Sequence, residues 1–229
     1  MTGNEDTKIK IEKAALAEFM DKGFANASLR QIVKNAGLTT GAFYKYYSTK
    51  ESLFAALVEP YANKIYSIYD VTLQNFQTLT SEEQQKAMIR VSTDSISEML
   101  DYIYEHYDNF KLLLCKADGT PFTSFIHNLV EKETDSTLRF IEDMRNSGTN
   151  IPRLDKDFVH MVSSGMFSAM FEIVAHDMEK SRAVERVKML KSFIPAVGKN
   201  FLEFRFKSIK NFVSILTDTN FFKQKVSLN

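Results

Sequence analysis

Between Ser28 and Lys50, helix starts and stops follow one another so closely that only short, sharply turning helices fit. Ser28 with Gln31 three residues on has the form of a capping box, opening a helix that carries Leu29, Ile32 and Val33 inward. Asn35-Ala36-Gly37 ends it, and Leu38 is placed to plug the turn. Thr39 caps a third helix expected over Thr40 to Tyr47, and Ser48 with Glu51 forms a second box. That box opens a longer fourth helix through Leu53 and Leu57 to beyond Ile65. Upstream, Ile11, Ala14, Ala15 and Phe19 recur at helical spacing from about Thr7 to Lys22, where Gly23 supplies a stop.

The rest alternates long helical patterns with short punctuation. Helices are expected over Ser81–His106, Asp108–Cys115, a stretch led by Pro121 to about Arg145, Asp155–His176 and Arg182–Phe204. No run alternates cleanly enough for a strand, and 4 Pro and 8 Gly leave few breakers. The chain reads as all-α: an N-terminal three-helix unit with a helix-turn-helix over residues 1–52, a helical bundle over 53–204, and an extension over 205–229.

A single cysteine, Cys115, excludes an intramolecular disulfide framework and a cysteine metal site. The opening MTGNEDTKIK lacks the apolar run of a signal peptide, and no apolar stretch approaches the roughly 20 residues needed to span a bilayer. A cytoplasmic protein without a membrane role is expected. The net charge is zero but unevenly spread. Residues 1–50 hold 8 Lys/Arg against 5 Asp/Glu, residues 51–204 hold 16 against 23, and residues 205–229 hold 5 against 1. A basic head on an acidic body suits a chain that meets nucleic acid through its head.

Laid out at about 100° per residue, the third helix sets Phe43 and Tyr47 inward, with Gly41 and Lys45 opposite, flanked by Ala42 and Tyr44. Small residues at its start would let the backbone approach base edges in a major groove. Tyr44, Tyr46, Lys45 and Lys50 offer phosphate donors. Singly, each has a plain alternative: Thr39 only a cap, Lys45 a solvated lysine, Tyr44 and Tyr46 packing residues. The run Ile11-x-x-Ala14-Ala15-x-x-x-Phe19-x-x-x-Gly23, with Ser28-x-x-x-Ile32 and Ala36-Gly37-Leu38, resembles the N-terminal domain of the TetR family of transcriptional regulators. So does the continuous stretch Thr39 to Glu51 with Leu53. The resemblance covers about residues 7 to 54.

It implies a homodimer on a palindromic double-stranded DNA operator, usually a repressor released by a small ligand; separately, no cofactor and no enzymatic activity are expected. Carried over by position, it assigns Thr39, Thr40, Gly41, Ala42 and Lys45 to bases or nearby phosphates. Tyr44, Tyr46 and Lys50 fall to backbone phosphates, with Arg30 a further candidate from the second helix.

For the body, Tyr102, His106, Phe110, Cys115, Phe125, Met144, Met166 and Met170 are candidate ligand contacts. An aromatic and Met-rich lining suits a hydrophobic effector, although such stripes also build plain core. Phe158, Met161, Val162, Gly165, Ala169, Met189, Phe193 and Val197 are candidate dimer contacts, with monomer core as the alternative. Cys115 is expected to be buried, and His176-Asp177 a polar pair at a helix end. No two histidines stand at i, i+4, so no metal site is expected. Residues 205–229 fit an added amphipathic helix, a frayed end or, less simply, a membrane-surface segment. A helical protein-binding module is the competing function. An enzyme would need a nucleophile with a base, a phosphate loop or a metal cluster, none of which stands out.

Overall fold

The computed structural model describes residues 3–149 and 151–190, leaving aside the side chains of seven positions between residues 81 and 93. Among the described residues the fold is all-helical: α1 (Gly3–Asn26), α2 (Leu29–Asn35), α3 (Thr40–Phe43), α4 (Lys50–Gln77), α5 (Ser81–Glu105), α6 (Tyr107–Cys115), a 3-10 turn (Pro121–Ser124), α7 (Phe125–Asn146) and α8 (Lys156–Ala175). Residues 180–184 are again helical. The chain divides after Val184, and residues 185–190, also helical, belong to a second unit. The expected domain boundary at residue 52 falls inside α4, so the N-terminal helices and the bundle share one continuous helix.

The caps explain where the short helices begin. Ser28 Oγ accepts from the Gln31 amide, but the reciprocal half of the box is missing. The Ser28 amide already donates to Glu18 Oε1 at 3.0 Å, so the Gln31 side chain turns instead to Asn35. The fourth helix starts one residue later than expected. Thr49, not Ser48, is its cap, and Thr49 and Ser52 satisfy each other's amides in a full capping box. Thr80 with Glu83 likewise replaces Ser81 at the start of α5. The third helix is shorter than Thr40–Tyr47. Beyond Phe43 the amides of Lys45 and Tyr46 reach back three residues to Ala42 and Phe43, tightening the chain into a turn. Gly23 ends the regular part of α1 with φ 71°, which only glycine adopts cheaply.

One aromatic cluster locks the N-terminal helices. Phe19 and Phe24 of α1 lie 5.1 and 5.2 Å, ring to ring, from Phe54 of α4, both edge-on, and Phe54 also meets Phe122 at 6.1 Å. Phe19, Phe43 and Phe54 are fully buried, with Ile11, Ile32 and Leu53 beside them in the core. Lys50 completes the lock: its ammonium donates to the carbonyls of Phe24 (2.8 Å) and Ala27 (3.1 Å) and sits 4.4 Å above the Phe24 ring. Tyr47 ties α1 to the turn after α3 by donating to Glu12, and burial pushes its phenol well above the usual range.

In the bundle, α6 is central, packing against α1, α4 and α8, while α7 and α8 form an antiparallel pair. Lys111 of α6 caps the end of α8, donating to the carbonyls of Val174 and Ala175 and pairing with Asp177 at 2.9 Å. His176 and Asp177 stand at the end of α8 as the expected polar pair, His176 pairing with Glu172 and Asp177 with Lys111. α8 is long and apolar enough to cross a membrane by length and composition alone, although Asp157, His160 and Glu172 interrupt its apolar run. Its Val159, Phe167, Phe171 and Val174 side is packed as core.

Two outcomes follow from the N-terminal lock. Lys50→Met keeps the alkyl stem on Phe24 but removes two charge-assisted hydrogen bonds, and should cost about 1–3 kcal/mol in urea denaturation. Lys22 first, then the Ser28 amide, hold the Glu18 carboxyl below its ordinary value of 4.5. Its stabilisation is therefore complete above that value and is lost as pH falls through the lowered folded one. Glu18→Gln should unfold more easily at neutral pH, and its difference from the parent should shrink in denaturation curves taken well below pH 4.5.

Candidate nucleic-acid interface

From Lys22 to Lys50 the chain contains no Asp or Glu but five cations, Lys22, Arg30, Lys34, Lys45 and Lys50. The fold spends two of them internally. Lys22 pairs with Glu18, and Lys50 is held by carbonyls. Arg30, Lys34 and Lys45 are exposed on α2 and the end of α3, with no ion-pair partner among the described residues. Lys8 and Lys10 of α1, by contrast, are paired with Glu12 and Asp6. The acid-free run therefore becomes one surface carrying unneutralised positive charge.

Most of the expected contact residues lie on that surface. Arg30, Thr39, Thr40, Gly41, Tyr44 and Lys45 are exposed, Tyr44 by 55%. Ala42 and Tyr46 are half-buried. Thr39 Oγ1 caps α3 by accepting from the Ala42 amide at 3.2 Å, which leaves its own O–H free to donate outward. Tyr46 gives its hydroxyl to Asn4, and Lys50 turns its ammonium onto the carbonyls of Phe24 and Ala27, so both are engaged within the chain. Lys34 was not among the expected residues, although the absence of acids around it was visible in the sequence.

Gly41 is the most telling position. A methyl group added there would meet nothing within 4 Å, and its backbone is not in a left-handed conformation. Glycine in a helix costs about 0.5–1 kcal/mol relative to alanine. No neighbour within 4 Å and no left-handed backbone requires a glycine at this position.

In the body, the expected ligand residues separate. Tyr102, His106 and Phe110 do come together, around Tyr61 of α4, which was not anticipated; the His106 ring is 4.6 Å from Tyr102 and 4.8 Å from Tyr61. Phe125 packs elsewhere, against Tyr66 and Phe171. Met144 and Met170 are core, and Met166 is half-buried. Cys115 is exposed, not buried as expected, as the last residue of α6. Partial desolvation still raises its thiol, so it is not an activated thiolate. A half-open cavity of about 140 Å³ lies between α6, the 3-10 turn and α7. Leu113, Leu114, Ala117, Phe122, Phe125 and Ile126 give it apolar walls, and Asp118 and Thr123 are at its polar side. Of the expected ligand residues, Phe125 lines this cavity.

Glu133, also unanticipated, accepts from the Tyr69 hydroxyl and Thr137 between α4 and α7, and burial raises its carboxyl above the usual range. Of the expected dimer contacts, Phe158, Met161, Val162, Gly165 and Ala169 form an exposed stripe on α8. Met189 is exposed in the second unit. Phe193 and Val197, like residues 205–229, lie outside the described residues.

Comparison with known proteins agrees with the geometry. Residues 11–57 match the family described as bacterial regulatory proteins, tetR family. The HTH-type transcriptional regulator YdgC of Bacillus subtilis is 30% identical over 88 residues, 38% of this chain and 45% of that protein. The chain spans less than half the length of the curated relatives it matches first. A TetR-like transcriptional regulator from Rhodococcus sp. RHA1 has a similar fold, with a TM-score of 0.53 at 20% identity over 85% of this chain and 96% of that one. The regulator FadR of Bacillus subtilis, solved in complex with stearoyl-CoA, follows at 0.50 and 15%, covering 81% and 96%. Residues 11–57 are thus similar to the tetR family of bacterial regulatory proteins, and the chain shares the fold of TetR-like regulators.

Proposed function

We propose that the chain is a transcriptional regulator that binds a palindromic operator in duplex DNA as a homodimer, acts as a repressor, and lets go when a small hydrophobic effector enters its body. Gly41 is the observation that carries the DNA reading: a bare helix start that no contact among the described residues requires, set among the exposed cations Arg30, Lys34 and Lys45, which have no ion-pair partner among those residues. Thr39, Thr40, Gly41 and Ala42 would face base edges, with Tyr44 and Lys45 on phosphates.

The exposed stripe of α8 supports self-association, since Phe158, Met161 and Val162 put apolar area in water beside small Gly165 and Ala169. Two copies would present their third helices roughly 34–36 Å apart to reach successive major grooves. The cavity beside α6, with Leu113, Phe122, Phe125 and Ile126 set against Asp118 and Thr123, supports an effector with an apolar part, and FadR of Bacillus subtilis, similar in fold, was solved in complex with stearoyl-CoA. At about 140 Å³ the cavity is smaller than the roughly 300 Å³ of ordinary ligand pockets, so entry would push its walls apart. One wall, α6, is followed directly by Lys116, whose carbonyl accepts from the Phe24 amide at 2.8 Å, and another carries Phe122, which packs on Phe54. A displaced α6 would thus pull on α1 and α4 together. The setting would be the cytoplasm, where operator and effector meet.

Fluorescence anisotropy with a duplex from the intergenic region beside its gene tests the DNA reading. Gly41→Ala should hold or raise the melting temperature while weakening binding at least ~10-fold, through loss of close approach. Lys45→Ala should lower the salt slope by about one phosphate contact. A Gly41→Ala protein that binds as tightly as the parent would overturn the reading.

A further inference from the structure

α7 and α8 bring together two imidazoles and a carboxylate that neither the DNA reading nor the effector reading uses. His127 and Glu131 stand four residues apart, on one side of α7, and His160 meets them from α8. A donor atom from each lies within 4.8 Å of the others. His160 Nδ1 is 2.9 Å from Glu131 Oε1, and the His127 and His160 rings are 5.8 Å apart. Glu131 and His160 are half-buried and His127 is exposed, so the cluster opens to solvent on one side.

We propose that His127, Glu131 and His160 form a binding site for a divalent transition metal of the zinc type. Two imidazole nitrogens and one carboxylate oxygen are a donor set that Zn²⁺ takes, with a fourth position left for water. The contraction needed is small. Donors around a tetrahedral ion with bonds of about 2.0–2.2 Å sit some 3.5 Å apart, and rotation of the exposed His127 closes the remaining gap. Lys156 does not block the site. It holds the other carboxylate oxygen, Oε2, at 3.3 Å and keeps Oε1 turned toward His160. Asp135, 3.8 Å from Lys156, shares that ammonium and offsets its charge. On the α8 helical wheel His160 falls on the edge facing α7, roughly opposite the exposed stripe of Phe158, Met161, Val162, Gly165 and Ala169. A bound ion would therefore pin α7 to α8 without lying on that stripe.

Equilibrium dialysis of the full chain against Zn²⁺, with Co²⁺ as a spectroscopic substitute, tests the site without reference to DNA. One ion per chain is expected, with a Co²⁺ absorption band in the visible typical of nitrogen and oxygen ligands and a rise in melting temperature on adding Zn²⁺. His127→Ala, His160→Ala and Glu131→Gln should each weaken binding at least ~10-fold while the metal-free proteins keep the parent's circular dichroism and melting curve. His176→Ala, an exposed histidine elsewhere, should bind as the parent does. Absence of Zn²⁺ binding by the parent, or binding left intact by His160→Ala and Glu131→Gln, would overturn the proposal.

Discussion

The packing of Phe54 against Phe19 and Phe24 is the contact on which the N-terminal architecture depends. α2 and α3 are short, seven and four residues, too short to hold shape alone in water. They keep their places because α1 and α4, both long, are pinned by three interlocking rings, and because Lys50 closes the loop between α1 and α2. With the support buried behind it, the outer side of α3 is free to carry residues chosen for other reasons. Thr40, Gly41 and Lys45 are exposed and contribute little to the core.

Much of this half was legible from residue order. Phe19, Ile32, Phe43 and Tyr47 announced an inward face by their spacing, and the hydroxyls at Ser28 and Thr39 marked helix starts that the structure keeps. The errors have a common physical source. Several side chains can serve one cap, and tertiary partners decide among them. Glu18, ten residues upstream, takes the Ser28 amide and breaks the reciprocal box, while Thr49 outcompetes Ser48 because Ser52 can answer it. Lys50 looked like a phosphate donor for the same reason. Its two carbonyl acceptors, at Phe24 and Ala27, are distant in sequence and appear only once the chain is folded.

The body was less legible because periodicity says which side of a helix is inward but not which helix it meets. Tyr102, His106 and Phe110 were recognised as a group, but Tyr61, the residue they surround, lies more than forty positions earlier. Spacing within one helix does not reveal the His127–Glu131–His160 cluster, since its third member arrives from a second helix. The cavity beside α6 is likewise a product of how α6, the 3-10 turn and α7 meet. Its position links the two halves: the carbonyl at Lys116 and the ring of Phe122 both touch the Phe19–Phe24–Phe54 cluster or its backbone. On the proposed account, the contact that holds the DNA-facing helices in place is also the one an effector disturbs.

The central claim is that the surface of α2 and α3 meets duplex DNA, in two copies at once. Hydroxyl-radical footprinting of the full chain on the intergenic region beside its gene addresses this directly. The account predicts two protected patches related by a dyad, on one face of the duplex and separated by about one helical turn or a multiple of it. Uniform cleavage along the duplex at protein concentrations that saturate the chain's own self-association would contradict it.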